Sequence, residues 1–311
     1  MKSTIKTMST FVVTACLGVS AQAATSLNSG LDGADFDNAA SWSSGAPSSS
    51  SVGTVSVDAT NLVRATANFG GGWAINHTAG DLEFSGGGWN VNGGGVGGTY
   101  HMSGGSISVP GSGTQDRGNF LVNGINFNLS GGAVSSELTF RIANGGAMNL
   151  QAGSGTLTSA AWKPTQNGTM NFVSGWTGFV NIASETAASW KTMLATTLAG
   201  STFDGVDITT DNFADNFVVS GNTLTVRTAY TWDAGAGDDD WSSGANWDGD
   251  PSSGPPNGKS VVLTPTAQSR LDYAWTIESG QSLTSLSSGF GDELVLESGS
   301  SLTLATGGAM D

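Results

Sequence analysis

The feature that most constrains the fold of this chain is a short unit that recurs between residues 75 and 150. Each copy has apolar-polar alternation, then a Gly pair or Gly-Asp, then a second short apolar-polar run. The copies are INHTAGDLEF (75–84), WNVNGGGVGG (89–98), YHMSGGSISV (100–109), FNLSGGAVSS (127–136) and RIANGGAMNL (141–150). Such alternation is typical of a half-buried strand, and glycine supplies the positive backbone dihedrals of a tight corner. The unit is therefore predicted to be strand, corner, strand.

The spacing of the corner glycines predicts how these units assemble. Gly80, Gly93, Gly104, Gly131 and Gly145 are separated by 13, 11, 27 and 14 residues, and 27 is close to two ordinary steps. Units of this kind cannot bury their apolar face alone, so they must stack. We predict an all-β fold: a right-handed parallel β-helix, or solenoid, with coils of about 22–28 residues and one short helix. A β-sandwich or jelly roll of hairpins is the alternative.

Two segments are predicted to close the end of the solenoid. The helix candidate lies at 184–198, where Ser184 is placed to cap it and Trp190, Met193 and Leu194 form an apolar stripe. Its expected role is to hide a strand edge that would otherwise pair with a neighbour. After it, the sequence of 217–226 predicts a terminal hairpin with its turn at Gly221-Asn222.

A longer phrase occurs twice, as GADFDNAASWSSGAP at 33–47 and GDDDWSSGANWDGDP at 237–251. Whole modules are duplicated more readily than active sites, so the repeat indicates architecture. Its structural motif residues are Phe36, Trp42, Trp241 and Trp247. We predict one module over 24–228 and a second over 229–311, which stops partway into its own coils and is apparently truncated.

The first 23 residues read as a signal peptide. Lys2 and Lys6 precede a short apolar stretch, and Ala21-Gln22-Ala23 is a small-x-small cleavage signal. A competing interpretation is a lipobox at Cys16, the only cysteine, which would make the chain a lipoprotein. The apolar run is too short for a permanent anchor, so no membrane span is expected in the mature chain.

The charge balance limits the classes of partner. The chain has 25 acidic and ten basic residues, and the signal peptide removes two lysines, so the mature net charge is 8 − 25 = −17. Nucleic acid is not expected as a partner because no basic footprint is present. An anionic membrane surface is disfavoured for the same reason.

Several motifs carry a family resemblance. The phrase at 237–251, the (Y/F)xxSGGxxxV units, GTMNFVSGWTGFVNI (168–182) and FxVSGNTLTV (217–226) resemble large exported, Gly/Ser/Thr-rich β-solenoid surface proteins of Verrucomicrobia and Planctomycetes. Many of those resemble autotransporter passengers or end in a PEP-CTERM-type sorting tail, which this sequence lacks. The resemblance implies a bacterial protein that is secreted or held at the cell surface, and it identifies no catalytic residues.

The search for catalytic motifs assigns no catalytic residue. His77 and His101 occupy related positions in two units, which favours coil positions over a catalytic base. Serine-hydrolase elbow, zinc-protease and P-loop motifs are absent. The enzymatic alternative is a β-helix polysaccharide lyase or hydrolase, for which the candidates are Asp116-Arg117, Glu137 and Arg141.

Two kinds of ligand site remain as hypotheses. Asp238, Asp240, Asp248 and Asp250 offer oxygen ligands for Ca²⁺, against the simpler interpretation of an acidic turn. Exposed aromatic rings stack on sugar faces, and the candidates beside Gly-rich turns are Trp73, Trp89 and Trp176.

Taken together, the sequence predicts an exported, non-enzymatic structural or adhesive surface protein that presents a repetitive β-solenoid face. Carbohydrate binding through exposed Trp is the alternative, and the β-helix polysaccharide-degrading enzyme is the second alternative. The expected partners are extracellular polysaccharide or other cell-surface components, with no cofactor other than Ca²⁺ considered.

Overall fold

Parallel strands stack into a β-solenoid of about seven turns, which confirms the predicted fold over the sandwich alternative. This computed structural model describes most of the chain from residue 74 to residue 263 and shorter stretches on either side. The described ranges are 24–26, 52–56, 62–64, 69–70, 74–83, 89–92, 98–111, 119–163, 167–256, 259–263, 269–271, 274–277, 282–285, 294–296, 301–304 and 309–310.

Eighteen strands form one continuous sheet system that winds around the stack. They are β1 (Ala24–Ser26), β2 (Val52–Ser56), β3 (Leu62–Arg64), β4 (Phe69–Gly70), β5 (Ala74–Ala79), β6 (Asp81–Glu83), β7 (Trp89–Asn92), β8 (Thr99–Val109), β9 (Asn119–Asn123), β10 (Asn126–Ala143), β11 (Ala147–Leu150), β12 (Thr156–Trp162), β13 (Thr169–Phe172), β14 (Val180–Ile182), β15 (Thr202–Phe203), β16 (Val206–Asp207), β17 (Phe217–Ser220) and β18 (Thr223–Val226).

Each central coil passes through three ladders of parallel strands, which we call faces A, B and C. Face A comprises 99–103, 126–130, 147–151 and 169–173; face B comprises 106–109, 133–136, 156–159 and 179–182; face C comprises 120–123, 139–143 and 161–162. The long strand β10 contributes to all three, because it bends at its Gly pair and again near Ser136.

Alternation along each strand fills a narrow apolar interior. On face A the column Tyr100, Phe127, Met148 and Met170 is buried, and the rings of the first two stack with centroids 4.9 Å apart. On face B the buried column is Leu82, Ile107, Val134, Leu157 and Val180. The face A column advances by 27, 21 and 22 residues per coil. The predicted range of 22–28 is thus nearly met, with one coil a residue shorter.

Glycine at the corner between faces A and B lets neighbouring coils approach closely. A side chain at Gly131 would overlap the carbonyl oxygen of Ser103 in the coil before it. The excess of glycine in the sequence therefore serves contact between coils as well as the turns within them.

The end of the stack is closed by two antiparallel hairpins and a helix. On face A, β13 is followed by β15, which folds back on β16. On face B, β14 pairs with β18 in the antiparallel sense, and β18 pairs with β17. The predicted hairpin at 217–226 is confirmed.

The predicted helix is also confirmed, but it begins two residues later than expected. Helix α1 spans Ala187–Thr192 and continues as a π-helix over Met193–Thr197. Its cap is Thr186, whose side chain accepts from the Ser189 amide while the Ser189 hydroxyl accepts from the Thr186 amide. Ser184 cannot serve as the cap because its amide still donates to Ala160 as part of the strand ladder.

The helical stripe faces the interior as predicted, since Trp190, Met193 and Leu194 are buried. A single helical turn, α2 (Phe213–Asn216), and a 3₁₀ turn, Gly244–Asn246, follow it. Within the described ranges, no helix has the length and apolar character needed to cross a membrane.

After residue 228 the strands form separate, smaller parallel sheets. They are β19 (Ala229–Thr231), β20 (Ser260–Leu263), β21 (Ser269–Leu271), β22 (Ala274–Ile277), β23 (Ser282–Ser285), β24 (Leu294–Leu296), β25 (Ser301–Leu304) and β26 (Ala309–Met310). Strands β19, β20, β23 and β26 make one sheet, and β21 with β24 and β22 with β25 make two pairs. A second hydrophobic cluster gathers around Trp232, Trp241 and Trp247. The module boundary at 228/229 stays a prediction, and the signal peptide lies outside the described residues.

Candidate functional site: an uncharged face with an exposed aromatic ring

The outward side of face B is polar but carries no charge over four successive coils. Because inward and outward side chains alternate, the outward residues follow directly from the buried column. From coil to coil they are Ser106 and Ser108, Ala133 and Ser135, Thr156 and Thr158, and Phe179 and Asn181. Neighbouring rows of this surface lie one strand spacing apart, about 4.8 Å.

Phe179 is the one large aromatic side chain exposed on this face among the described residues, with 37% of its surface accessible. It immediately precedes β14, and its carbonyl oxygen accepts from the Leu157 amide at 3.0 Å. Its neighbour Val180 is fully buried, so the ring of Phe179 is directed to the outside together with Asn181.

Several polar side chains around this ring are held by contacts with the stack. Ser135 Oγ donates to the Ile107 carbonyl oxygen at 3.3 Å. Asn181 Nδ2 donates to Asn222 Oδ1 at 3.0 Å and to Thr223 Oγ1 at 2.6 Å. The Thr156 hydroxyl has no hydrogen-bond partner within the described part of the chain. The face therefore offers hydroxyl and amide groups in fixed rows beside a ring, which suits a neutral, hydroxyl-rich ligand.

Face A is polar as well, but its amides are already used. Asn171 Nδ2 donates to Asn149 Oδ1 and Asn149 Nδ2 donates to Asn128 Oδ1, each at 2.8 Å. The row continues to His101, whose ring nitrogen lies 3.2 Å from Asn128 Nδ2. These side chains tie successive coils to one another, so this row is structural.

The three tryptophans expected to bind sugars do not form such a surface. Trp176 is fully buried, and its indole nitrogen donates to the Gly155 carbonyl oxygen at 2.8 Å, so the expectation that it is exposed is wrong. The adjacent Gly178 makes room for the ring, because a side chain there would meet the indole nitrogen. Trp73 lies outside the described residues. Trp89 lies on β7 in register with Phe120, and its side chain is not among those described.

A signal for Phe179 was present in the sequence. In Phe179-Val180-Asn181-Ile182 the apolar residues of the alternating phase are Val180 and Ile182, which leaves Phe179 on the polar side. Sequence reasoning missed it by weighing the ring types beside Gly-rich turns and not the phase of the strand.

The four aspartates proposed for Ca²⁺ are not brought together as a metal site. Within the described residues, no group of three or more His, Cys, Asp or Glu side chains could hold a metal ion. Asp248 instead pairs with Arg227, with Oδ1 and Nη1 2.7 Å apart, and also accepts from the Thr231 amide. Asp238 accepts from the Asp240 amide and from Asn246 Nδ2, and these bonds lower the pKa of its exposed carboxyl. Asp250 is exposed with a positive φ of 49°.

The repeated opening phrase is a packing element where it is described. Trp241 and Trp247 are fully buried with ring centroids 5.2 Å apart in an edge-to-face arrangement, and Trp247 Nε1 donates to the Trp241 carbonyl oxygen. Their counterparts Phe36 and Trp42 lie outside the described residues.

The residues named for the enzymatic alternative do not form a described cluster. Glu137 Oε2 accepts from the Gly111 amide at 2.6 Å, and it forms no salt bridge with Arg141, although both residues are described. Asp116 and Arg117 lie outside the described residues.

The two histidines hold coil positions, as predicted, but their positions are offset by one residue. His77 pairs with Met102 and points inward, whereas His101 pairs with Asn76 and is exposed. His77 is held at 3.0 Å from both the Tyr100 hydroxyl and the Gly80 carbonyl oxygen. Burial lowers its pKa, which keeps the ring neutral.

A second polar region, not predicted from the sequence, lies between the closing hairpins and residues 253–259. It is a cavity of about 500 Å³ whose lining includes Asp204, Asp215, Tyr230 and Lys259. Asp204 accepts from the Ser174 amide, and Asp215 accepts from both the amide and the hydroxyl of Ser252. Burial raises the pKa of Tyr230 to about 12 and lowers that of Lys259. The carboxylates are thus occupied in joining segments of the chain.

Comparison with known proteins adds no relative to this picture. No family model matches the sequence, and neither the curated proteins nor the solved structures give a match.

Proposed function

We propose that this chain is an exported structural protein with an adhesive role, which presents the outer faces of its solenoid and carries out no catalysis. The observation that carries the proposal is the use of the chain's reactive side chains. His77 bonds across a corner, the asparagines of face A bond from coil to coil, and Asp248 neutralises Arg227.

The repetitive outer surface supports an adhesive role. A ladder of similar rows offers many equivalent weak contacts, and such contacts add through multivalency when the partner is also repetitive. The acidic balance of the chain, −15 overall, favours solubility and a neutral or cationic partner over a polyanion.

Retention and cleavage should be measured together. Beads coated with the full chain are mixed with a panel of extracellular polysaccharides, and both polymer retained and reducing or unsaturated ends released are quantified. We expect retention of at least one polymer and no released ends. Sustained release of ends above that of heat-denatured protein would overturn the proposal and establish an enzyme.

Export is tested separately through the mature N-terminus. When the full chain is expressed in a bacterium with an outer membrane, we expect the exported product to begin at Ala24. A lipid on Cys16, found by mass spectrometry, would instead establish the lipoprotein route, and a product retained in the cytoplasm would contradict export.

A further inference from the structure

We propose that face B is a binding site for a neutral polysaccharide, with the ring of Phe179 as its stacking platform. The inference rests on the proposed adhesive function and names its partner and its site. It is carried by four observations on the described residues: charge, ring exposure, fixed polar rows and the size of the face.

The first observation is the absence of charge on a strongly acidic chain. The outward residues of 106–108, 133–135, 156–158 and 179–181 include no Asp, Glu, Lys or Arg. Carboxylates border the face, with Asp81 preceding it and Glu137 at its corner. A polyanion would be repelled by this border, and a polycation would find more charge in the acidic turn at 237–251. A neutral polymer fits the face best.

The second observation is the exposed ring. Phe179 keeps 37% of its surface accessible, whereas the aromatic residues Tyr100, Phe127, Phe140 and Phe172 of the central coils are at most 1% exposed. Aromatic faces attract the C–H groups on one side of a pyranose ring, and phenylalanine does so with no polar group of its own.

The third observation is the arrangement of donors and acceptors beside the ring. Asn181 and Ser135 are held by hydrogen bonds to the stack, so little side-chain freedom is lost when a ligand binds. The Thr156 hydroxyl, one row from Phe179, has no partner among the described residues. The rows repeat along the solenoid axis, so successive sugars of one polymer meet similar groups.

The fourth observation separates a polysaccharide from a second copy of this chain. Four rows span about 14 Å along the axis, and the outward residues of each row span about 7 Å. The uncharged face therefore covers on the order of a few hundred Å², against about 800 Å² per partner in a stable protein interface. A single polymer chain needs no more than this width.

The test compares exposed apolar residues on and off the face. Binding of the full chain to hydroxyethyl cellulose, neutral xylan and glucomannan, with polygalacturonate as the acidic comparison, is measured by affinity gel electrophoresis. We expect binding to at least one neutral polymer, weaker binding to polygalacturonate, and a loss on the order of tenfold in Phe179→Ala. Phe179→Trp should retain binding, and Phe179→Leu, which keeps apolar volume without a ring, should not.

Val206→Ala is the matched control, because Val206 is 64% exposed and lies on β16 at the closing hairpin. It should bind like the unmodified chain. Circular dichroism of each variant shows that the fold is retained, and Thr156→Asp, which adds a charge beside the ring, provides a second variant that should lose binding.

Three results would overturn the inference. These are no binding to any neutral polymer, equal binding by Phe179→Ala, and a dimer in sedimentation that dissociates in Phe179→Ala, which would make a second copy the occupant. If coated beads still retain a polymer in these cases, the adhesive function stands and only the site falls. If polymer ends are released, the proposed function itself falls.

Discussion

At the scale of single residues, the interior of the solenoid tolerates polar groups only where each has a partner. His77 is the example, because its two ring nitrogens meet the Tyr100 hydroxyl and the Gly80 carbonyl oxygen inside the stack. Leaving such a buried group without a partner costs about 1–3 kcal/mol.

Burial of His77 predicts a pH dependence of stability. The folded pKa is lowered below the ordinary value of 6.5, so the unfolded chain takes up a proton that the folded chain does not. The contribution of His77 is therefore complete above pH 6.5 and declines as the pH falls through 6.5 toward the folded pKa. Urea denaturation between pH 5 and 8 should show a steeper loss on the acid side for the unmodified chain than for His77→Gln.

The exposed His101 supplies the control for that measurement. His101→Gln should keep the pH profile of the unmodified chain, because this side chain lies at the surface. Parallel profiles for the unmodified chain and His77→Gln would contradict the prediction.

The asparagine row of face A predicts a second residue effect. Asn149 both donates to Asn128 and accepts from Asn171, so Asn149→Ala removes two hydrogen bonds between coils. We expect a loss of about 1–2 kcal/mol in the free energy of unfolding. Gln151→Ala, an exposed change beyond the end of the same strand, should cost only a few tenths of a kcal/mol. Equal effects of the two changes would show that the row contributes nothing.

At the scale of elements, the corners decide how closely the coils can stack. Gly131 is required by contact with the preceding coil, whereas Gly145 has a positive φ of 74° and open space around it. The two positions separate steric from conformational demands on glycine.

This difference predicts unequal costs for the same substitution. Gly131→Ala forces a Cβ against the Ser103 carbonyl and should destabilise the chain by about 3 kcal/mol. Gly145→Ala meets no atom and should cost about 1 kcal/mol for its left-handed backbone. Denaturant midpoints measured at equal m-values test the order, and a larger cost at Gly145 would contradict it.

At the scale of the whole molecule, a buried ion pair joins the closing hairpin to the strands that follow it. Arg227 is 1% exposed; its guanidinium donates to Ala214, to the Asp248 carboxylate and to the Asp248 carbonyl oxygen. It also lies 4.8 Å from the centre of the Tyr230 ring. Because the arginine is buried, its charge depends on this one partner.

Removing the partner charge alone should weaken that junction. In Asp248→Asn the shape and the acceptor oxygen remain but the charge is lost, and we expect a destabilisation of about 2 kcal/mol. The value is below that of a fully buried pair because Asp248 is 35% exposed. Unfolding followed by tryptophan fluorescence measures the change. Asp250→Asn, two residues away and exposed, should be nearly neutral, and equal effects would contradict the role of the pair.

The sequence predicts the solenoid because its cause is local. Alternation and glycine spacing are readable over ten residues, and each coil contacts its neighbours about 25 residues away. Contacts at longer range or without a pattern are not readable in this way. The partner of Asp248 is 21 residues distant with no motif to mark it. Trp176 was misjudged because glycines beside a ring can make space for it in the core as well as expose it.

The reversal of chain direction at the end of the stack has a consequence for association between molecules. A solenoid with an open parallel end could add the first coil of another molecule and grow into a fibre, rung by rung. Here β18 runs against β14, and β16 runs against β15, so an incoming coil finds no strand that continues the parallel order. The hairpins act as an end-stop that limits the length of this rod to what its own gene encodes.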